Sequence, residues 1–265
     1  MSKLEFKTDA FESKLVDDTA VIHLTGQALN ILTEPANSDF YDLLGSIKSS
    51  PELRGYVQIN DSGSDVAGAV NALAQFISQD DEVFMRHGRY YGFQHEAIAA
   101  RFRSAIGRVL LAFIEFEKPM IAGLQGQISG EYLGLTLAFD WRIAMADTTI
   151  SFENVRTGLP SSPGVTFLMP RYVGIGRAMS LIHRGATIDA HEALDLGLIS
   201  DIVDSPQELE DRCVQDIRDV TEQKRYLVGL HRQHVLPSPK EMRTALERYY
   251  DGMVWAIAEL RAENR

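Results

Sequence analysis

Several residue classes are scarce in this 265-residue chain, and each scarcity argues against one class of structure or binding partner. The single cysteine, Cys213, excludes an internal disulfide framework and fits a reducing compartment. Lys and Arg number 26 against 37 Asp and Glu, and the formal charge of -11 argues against a nucleic-acid-binding face, which needs clustered positive charge. No apolar run reaches the length of a membrane span or a signal peptide. We therefore predict a cytoplasmic protein that binds neither nucleic acid nor membrane.

Strand-like and helical patterns alternate along most of the chain. The strand-like runs include TAVIHLTG, RGYVQIN, KPMIAGLQGQ and WRIAMADTTIS, and helical spacing separates the earlier ones. This alternation predicts an α/β fold with parallel strand pairing. Beyond the core, the chain becomes charged and helix-rich, with breaks at Pro206, Pro237 and Pro239. We predict an α/β core over residues 1–200 and a helical region over residues 201–265.

Two glycine-containing loops stand at the chemically informative points, where a strand ends and a helix begins. They are NDSGSD, at residues 60–65, and QGQISGEY, at residues 125–132. Backbone N–H groups at such points are available to an anion, and two converging loops would form an oxyanion hole. The alternative is that the glycines only permit tight turns. Spacing alone leaves both interpretations open.

Six segments, taken in order, resemble the landmarks of the crotonase superfamily, the enoyl-CoA hydratase and isomerase family. The similarity extends over most of the chain and is densest over residues 118–203. The segments are ALNIL, SGSDV, KPMIAGLQGQISGEYLGLTLAFDWRIAMADTTIS, GLPSSPG, GATIDAHEALDLGLISDIV and YYDGMVWAIAELR.

The resemblance implies repeated ββα units that form two roughly perpendicular sheets, with C-terminal helices used for assembly into a homotrimer or a dimer of trimers. It also implies an acyl-CoA or acyl-carrier-protein thioester as substrate, with no metal and no cofactor besides the coenzyme A that the substrate carries. In such proteins two backbone amides stabilise an enolate, and these fall at Ser64 and Glu131 here. Neighbouring positions are expected to bind substrate: Gly63, Asp65, Val66 and Gly130.

The two glutamates that hydratases of this family use are absent at the corresponding positions. Aligned without gaps through Asp140, those positions hold Gly134 and Asn154, and neither residue can act as a general acid or base. We therefore do not expect hydration by the paired-glutamate route. Because of this correspondence, we expect Asn154 to be a catalytic position and Gly134 to be a substrate-binding one.

Other polar side chains would have to compensate for the missing glutamates. Glu131 and Tyr132 stand where the family usually has glycine, so either side chain would project into the acyl pocket. The alternatives are a carboxylate that stabilises the helix N-terminus and a tyrosine that packs in the core. His87 and Tyr91, in a segment longer than the family's common form, are candidate proton donors, and Ser162 in the GLPSSPG loop is a candidate pocket residue.

Three hypotheses on function follow. The first is an enzyme that stabilises a thioester enolate without the glutamate pair, as a decarboxylase, an isomerase or a C–C lyase. The second is a hydratase or isomerase whose carboxylate has moved, for example to Glu131. The third is a catalytically silent relative that serves as a binding or assembly subunit. The sequence leaves the acyl group unspecified.

Overall fold

The computed structural model describes residues 4–25, 38–61, 107–222 and 224–263. Its strands are β1 Phe6–Lys7, β2 Phe11–Val16, β3 Thr19–Leu24, β4 Gly55–Ile59, β5 Met120–Leu124, β6 Gln127–Ser129, β7 Trp141–Met145, β8 Thr149–Ser151, β9 Thr187–Asp189 and β10 Asp201–Val203. Its α-helices are α1 Ser38–Ser49, α2 Arg108–Ile114, α3 Gly130–Thr136, α4 Met169–Val173, α5 Ile175–Arg184, α6 Ala190–Asp195, α7 Pro206–Glu222, α8 Arg225–Val235 and α9 Pro239–Glu263. A 3-10 turn spans Glu153–Thr157 and a π-helical turn spans Gly164–Leu168.

Two sheets organise the described part of the chain. The larger has seven strands in the order β1-β2-β3-β4-β5-β7-β10, and the smaller has three in the order β6-β8-β9. The neighbours from β3 to β10 pair in parallel, as predicted. The antiparallel strands β1 and β2, which extend the large sheet, were not predicted from the sequence. β10, just beyond the predicted boundary at residue 200, is the last strand of this sheet.

The chain repeats the order strand, strand, helix. β5 lies in the large sheet, β6 follows in the small sheet, and α3 begins directly after β6. β7 and β8 repeat this alternation between the two sheets before the next helical segments. The α/β class and the ββα order are therefore as predicted.

Strand β4 shows how the large sheet separates two apolar cores. Val57 and Ile59 face helix α7, where they pack with Leu209 and its neighbours in one cluster. Tyr56 belongs to the other cluster, on the face where helix α3 packs, because successive side chains of a strand point to opposite faces. Packing on both faces of the sheet thereby fixes β4 and β5, the strands that the two predicted loops follow.

The helical C-terminal region packs onto the core of its own chain. Arg232 of α8 is 4% exposed, and its guanidinium donates to the carbonyl oxygens of Phe116 (2.9 Å), Phe113 (3.0 Å) and Ala138 (3.2 Å). Its Nη1 also lies 2.6 Å from a carboxylate oxygen of Asp140. One side chain thus binds carbonyls at the ends of both α2 and α3. The assembly role expected for this region stays a prediction.

None of the helices in the described ranges combines the length and the apolar composition that crossing a bilayer requires.

Candidate active site

The two predicted loops begin side by side at the carboxyl edge of the large sheet. Asn60 follows β4 and Gln125 follows β5, and the two residues bind each other reciprocally. The Asn60 side chain accepts from the Gln125 N–H at 3.0 Å and donates to its carbonyl oxygen at 2.8 Å. The Gln125 side chain donates to the Asn60 carbonyl oxygen at 2.6 Å. This pair was not predicted from the sequence, although a polar residue directly after each buried strand was the available signal.

Several predicted site residues lie outside the described residues, so their roles stay predictions. These are Gly63, Ser64, Asp65, Val66, His87 and Tyr91.

Small residues position the start of helix α3. Gly126 adopts a φ of 66° in the turn between β5 and β6, a conformation that favours glycine. Ser129 caps the helix, because its hydroxyl accepts from the Tyr132 N–H at 3.1 Å. At Gly130 a Cβ atom would lie 2.5 Å from the Phe152 ring, so only glycine permits this approach. The amide of Glu131 lies in the first turn, at the positive end of the helix.

The Glu131 side chain reaches the GLPSSPG loop. Its two carboxylate oxygens lie 2.9 and 3.1 Å from the backbone nitrogen of Ser162, which donates to them. Tyr249 of α9 lies nearby, and burial, followed by the negative charge of Glu131, raises the pKa of its phenol well above the usual value. The carboxylate of Glu131 therefore holds a loop to the helix.

Tyr132 lies in the core. Its side chain is 5% exposed, and its hydroxyl accepts from Gln58 Nε2 at 3.1 Å, while Gln58 Oε1 accepts from the Tyr56 hydroxyl at 2.5 Å. Burial raises the pKa of Tyr132, against the opposing effect of the Gln58 hydrogen bond, so the phenol is neutral near pH 7. This environment agrees with the packing interpretation, and a catalytic role stays a prediction.

Gly134 is in direct backbone contact with the π-helical turn. A Cβ atom at Gly134 would lie 2.8 Å from the nitrogen of Val165 and 2.9 Å from the carbonyl carbon of Gly164. A Cβ atom at Gly164 would lie only 2.4 Å from the Gly134 carbonyl carbon. The position at which the resemblance implies a glutamate therefore has no room for a side chain. Asn154, at the other such position, lies in the 3-10 turn after β8.

The backbone of Ser162 is held on both sides. Its N–H donates to Glu131, and its carbonyl oxygen accepts from the N–H groups of Val165 and Thr166, each at 2.9 Å. The side chain is 1% exposed, and its Oγ has no hydrogen-bond partner among the described residues.

A surface groove of about 490 Å³ lies at the opposite edge of the sheet, before β4 and β5. Its lining includes Arg54, Pro119 and Tyr226, so it is separate from the loops described above. In the described ranges, no three His, Cys, Asp or Glu side chains are arranged to hold a metal ion.

Residues 80–251 match the family described as enoyl-CoA hydratase/isomerase, and this range is more than half of the chain. The chain belongs to the enoyl-CoA hydratase/isomerase family. This membership confirms the predicted resemblance to the crotonase superfamily.

Individual members of the family are similar to this chain over different lengths. The enoyl-CoA hydratase AFT3-1 of Alternaria alternata is 33% identical over 252 residues, which cover 92% of this chain and 79% of that protein. The peroxisomal bifunctional enzyme of Cavia porcellus is 40% identical over 103 residues, which cover 38% of this chain and only 14% of that protein. The solved enoyl-CoA hydratase of Bacillus halodurans superposes with a TM-score of 0.72 at 18% identity, covering 94% of this chain and 95% of that one. This superposition confirms the predicted crotonase-like fold.

Proposed function

We propose that this protein is an acyl-CoA lyase that breaks a carbon–carbon bond beside the thioester and stabilises the resulting enolate with backbone amides. Family membership supports the thioester substrate. The observation that carries the proposal is the reciprocal bonding of Asn60 and Gln125, which starts the two amide-bearing loops at one edge of the sheet. In this proposal Ser64 and Glu131 supply the two N–H donors, and the turns around them bind the thioester.

Enolate formation explains why backbone amides suffice for most of the catalysis. As the bond between the α-carbon and the departing carbon breaks, its electron pair is delocalised onto the thioester carbonyl oxygen. That oxygen becomes negatively charged. Each preorganised donor to such an oxygen accelerates a reaction by about 10²- to 10³-fold. The positive end of helix α3 adds to the stabilisation of this charge.

The absence of a carboxylate at Gly134 favours bond cleavage over proton abstraction. Hydration and isomerisation both require a base that faces the α-carbon. Gly134 has no space for one, and the Glu131 carboxylate is bonded to the Ser162 amide. Loss of carbon dioxide from a carboxylate on the α-carbon forms the enolate without removing an α-proton. Cleavage of a 3-oxoacyl thioester does the same after water adds to the β-carbonyl group, which then departs as a carboxylic acid. We therefore place the lyase ahead of a hydratase that uses Glu131.

Deuterium incorporation tests this proposal. The purified protein is incubated in D2O with malonyl-CoA, acetoacetyl-CoA, crotonyl-CoA and butyryl-CoA, and the products are followed by mass spectrometry. We expect cleavage products with deuterium at the α-carbon from one of the first two thioesters, no hydration of crotonyl-CoA and no exchange into butyryl-CoA. Glu131→Gln should retain the cleavage activity, because Gln keeps the backbone amide.

Two outcomes would contradict the lyase proposal. Hydration of crotonyl-CoA that is lost in Glu131→Gln would identify Glu131 as a relocated base. Binding of these thioesters without turnover of any of them would instead support a silent subunit.

A further inference from the structure

The hydroxyl of Ser162 lies in surroundings that do not satisfy its hydrogen bonding, which argues against a purely structural role. It is almost completely buried, at 1% exposure, and lacks a hydrogen-bond partner among the described residues. A buried hydroxyl without a partner destabilises the folded state, and nearly all such groups in native proteins are bonded. An alanine at this position would avoid that cost. The hydroxyl therefore points to a partner that the described residues do not supply.

The backbone N–H and C=O groups of Ser162 are already hydrogen-bonded. Its hydroxyl is therefore the group of this residue that can bind a ligand. The amide of Ser162 is used by Glu131, and its carbonyl oxygen accepts from Val165, from the Thr166 amide and from the Thr166 hydroxyl at 3.1 Å. The remaining freedom is rotation about the side-chain bonds, which aims the O–H. A donor on a fixed backbone loses little entropy when it binds a ligand.

The location connects this hydroxyl with the proposed thioester site. Glu131 is both the residue whose backbone amide we assign to the enolate and the residue whose carboxylate holds Ser162. The contact between Gly134 and Gly164 brings the same loop against helix α3 one turn further along. Ser162 is therefore positioned by the same turn of helix that serves the thioester carbonyl.

We propose that the Ser162 hydroxyl donates a hydrogen bond to an oxygen atom on the acyl chain of the substrate, and that Glu131 is a positioning residue that holds Ser162 for this contact. The inference rests on the proposed function for the thioester itself. It adds the substrate class, which is a thioester whose acyl chain carries a hydroxyl, carbonyl or carboxylate oxygen.

Binding of two matched thioesters tests the role of Ser162. Titration calorimetry compares 3-hydroxybutyryl-CoA with butyryl-CoA for the wild type, for Ser162→Ala and for the control Ser161→Ala, which removes the neighbouring buried hydroxyl. We expect the wild type to prefer the oxygenated thioester, and Ser162→Ala to reduce that preference about fivefold to tenfold, the effect of one hydrogen bond. Ser161→Ala should keep the preference.

Thermal unfolding separates this role from a structural one. Ser162→Ala should have an unchanged or higher Tm, because it removes an unpaired buried hydroxyl. A lower Tm together with an unchanged preference would show that the hydroxyl serves the fold, and would overturn the inference. Equal binding of the two thioesters by the wild type would overturn it alone. If neither thioester binds, the proposed function fails and the inference fails with it.

Two variants test the positioning role of Glu131. Glu131→Gln keeps an oxygen that accepts from the Ser162 amide, so the preference should remain. Glu131→Ala removes the acceptor and should lose the preference about as fully as Ser162→Ala, although the hydroxyl is still present. Loss of the preference in Glu131→Gln, or its retention in Glu131→Ala, would contradict the role.

Discussion

At the level of single residues, the close contact between Gly134 and Gly164 leaves no space for a side chain at a position where the resemblance implies a glutamate. The missing carboxylate is more than an exchange of one side chain, because the backbone of the π-helical turn occupies the space beside Gly134. A carboxylate at this position would require the turn to move. The loss of the glutamate is therefore linked to the packing of the whole loop.

Substitution of Gly134 tests this link. Gly134→Ala should lower the free energy of unfolding by about 1–3 kcal/mol, the usual effect of overpacking. Gly134→Glu should not restore hydration of crotonyl-CoA. Urea unfolding and a hydration assay measure the two effects.

Gly176 of α5 provides the matched control. A Cβ atom at Gly176 meets nothing within 4 Å, so Gly176→Ala should stabilise the helix by about 0.5–1 kcal/mol. Equal stability changes in the two alanine variants would refute the packing argument, and restored hydration in Gly134→Glu would refute its functional consequence.

The sequence identified Glu131 and Tyr132 as unusual, but it did not identify their partners. Ser162 lies 31 positions from Glu131, and Gln58 lies 74 positions from Tyr132. Contacts across such separations depend on how the elements pack, which local pattern does not encode. The positions of Glu131 and Tyr132 in the loop could therefore be predicted from the sequence, whereas the direction of each side chain could not.

At the level of secondary-structure elements, local periodicity predicted most of the described helices and strands. The prolines at 206 and 239, which we predicted as breaks, are the first residues of α7 and α9, where a missing N–H has no cost. Two-residue β1 and three-residue β9 are too short for periodicity to detect. β2 was missed because only its first three residues alternate cleanly between buried and exposed.

Helix α7 is attached to the sheet by an ion cluster whose strength should depend on pH. Glu210 lies 2.7 Å from both Lys14 on β2 and His23 on β3. Burial acts to raise the pKa of Glu210, but the hydrogen bonds and charges of Lys14 and His23 outweigh it and lower that pKa from its usual value. A carboxylate with a lowered pKa stabilises the fold above its unfolded pKa, and this contribution is lost as the pH falls through the folded pKa.

Glu210→Gln should therefore have a lower Tm than the wild type at about pH 7, and the difference should shrink at about pH 3. Glu222→Gln, at an exposed position of the same helix, should match the wild type at both values. Thermal unfolding followed by circular dichroism provides the measurement. A difference in Tm for Glu210→Gln that is independent of pH would rule out the ion cluster as its cause.

At the level of the whole molecule, helix α8 exposes an apolar surface that the described part of the chain leaves uncovered. Tyr226 is 62% exposed, Leu230 is 42% exposed, and Leu227 is 36% exposed, and their spacing places all three on one side of the helix. Exposed apolar residues gathered on one helix are typical of protein interfaces. The resemblance implies a trimer built through the C-terminal helices, and this face of α8 is our candidate for the contact.

Light scattering tests the assembly. We expect a mass three or six times the 29.6 kDa of the chain, and a shift toward 29.6 kDa in Leu230→Lys. Ile175→Lys, which changes an equally apolar residue that is 74% exposed on α5, should keep the wild-type mass. A wild-type mass of a single chain, or an unchanged mass in Leu230→Lys, would contradict the proposed contact.

The Arg232 guanidinium, which binds the carbonyls at the ends of α2 and α3, also bears on the order in which the protein is made. A ribosome completes β4, β5 and the loops of the candidate site long before residue 232 leaves the exit tunnel. Until then the carbonyl oxygens at those helix ends lack the hydrogen bonds that Arg232 donates in the folded chain, and water must take its place. Synthesis must therefore pass residue 232 before the layer behind the loops of the candidate site can close.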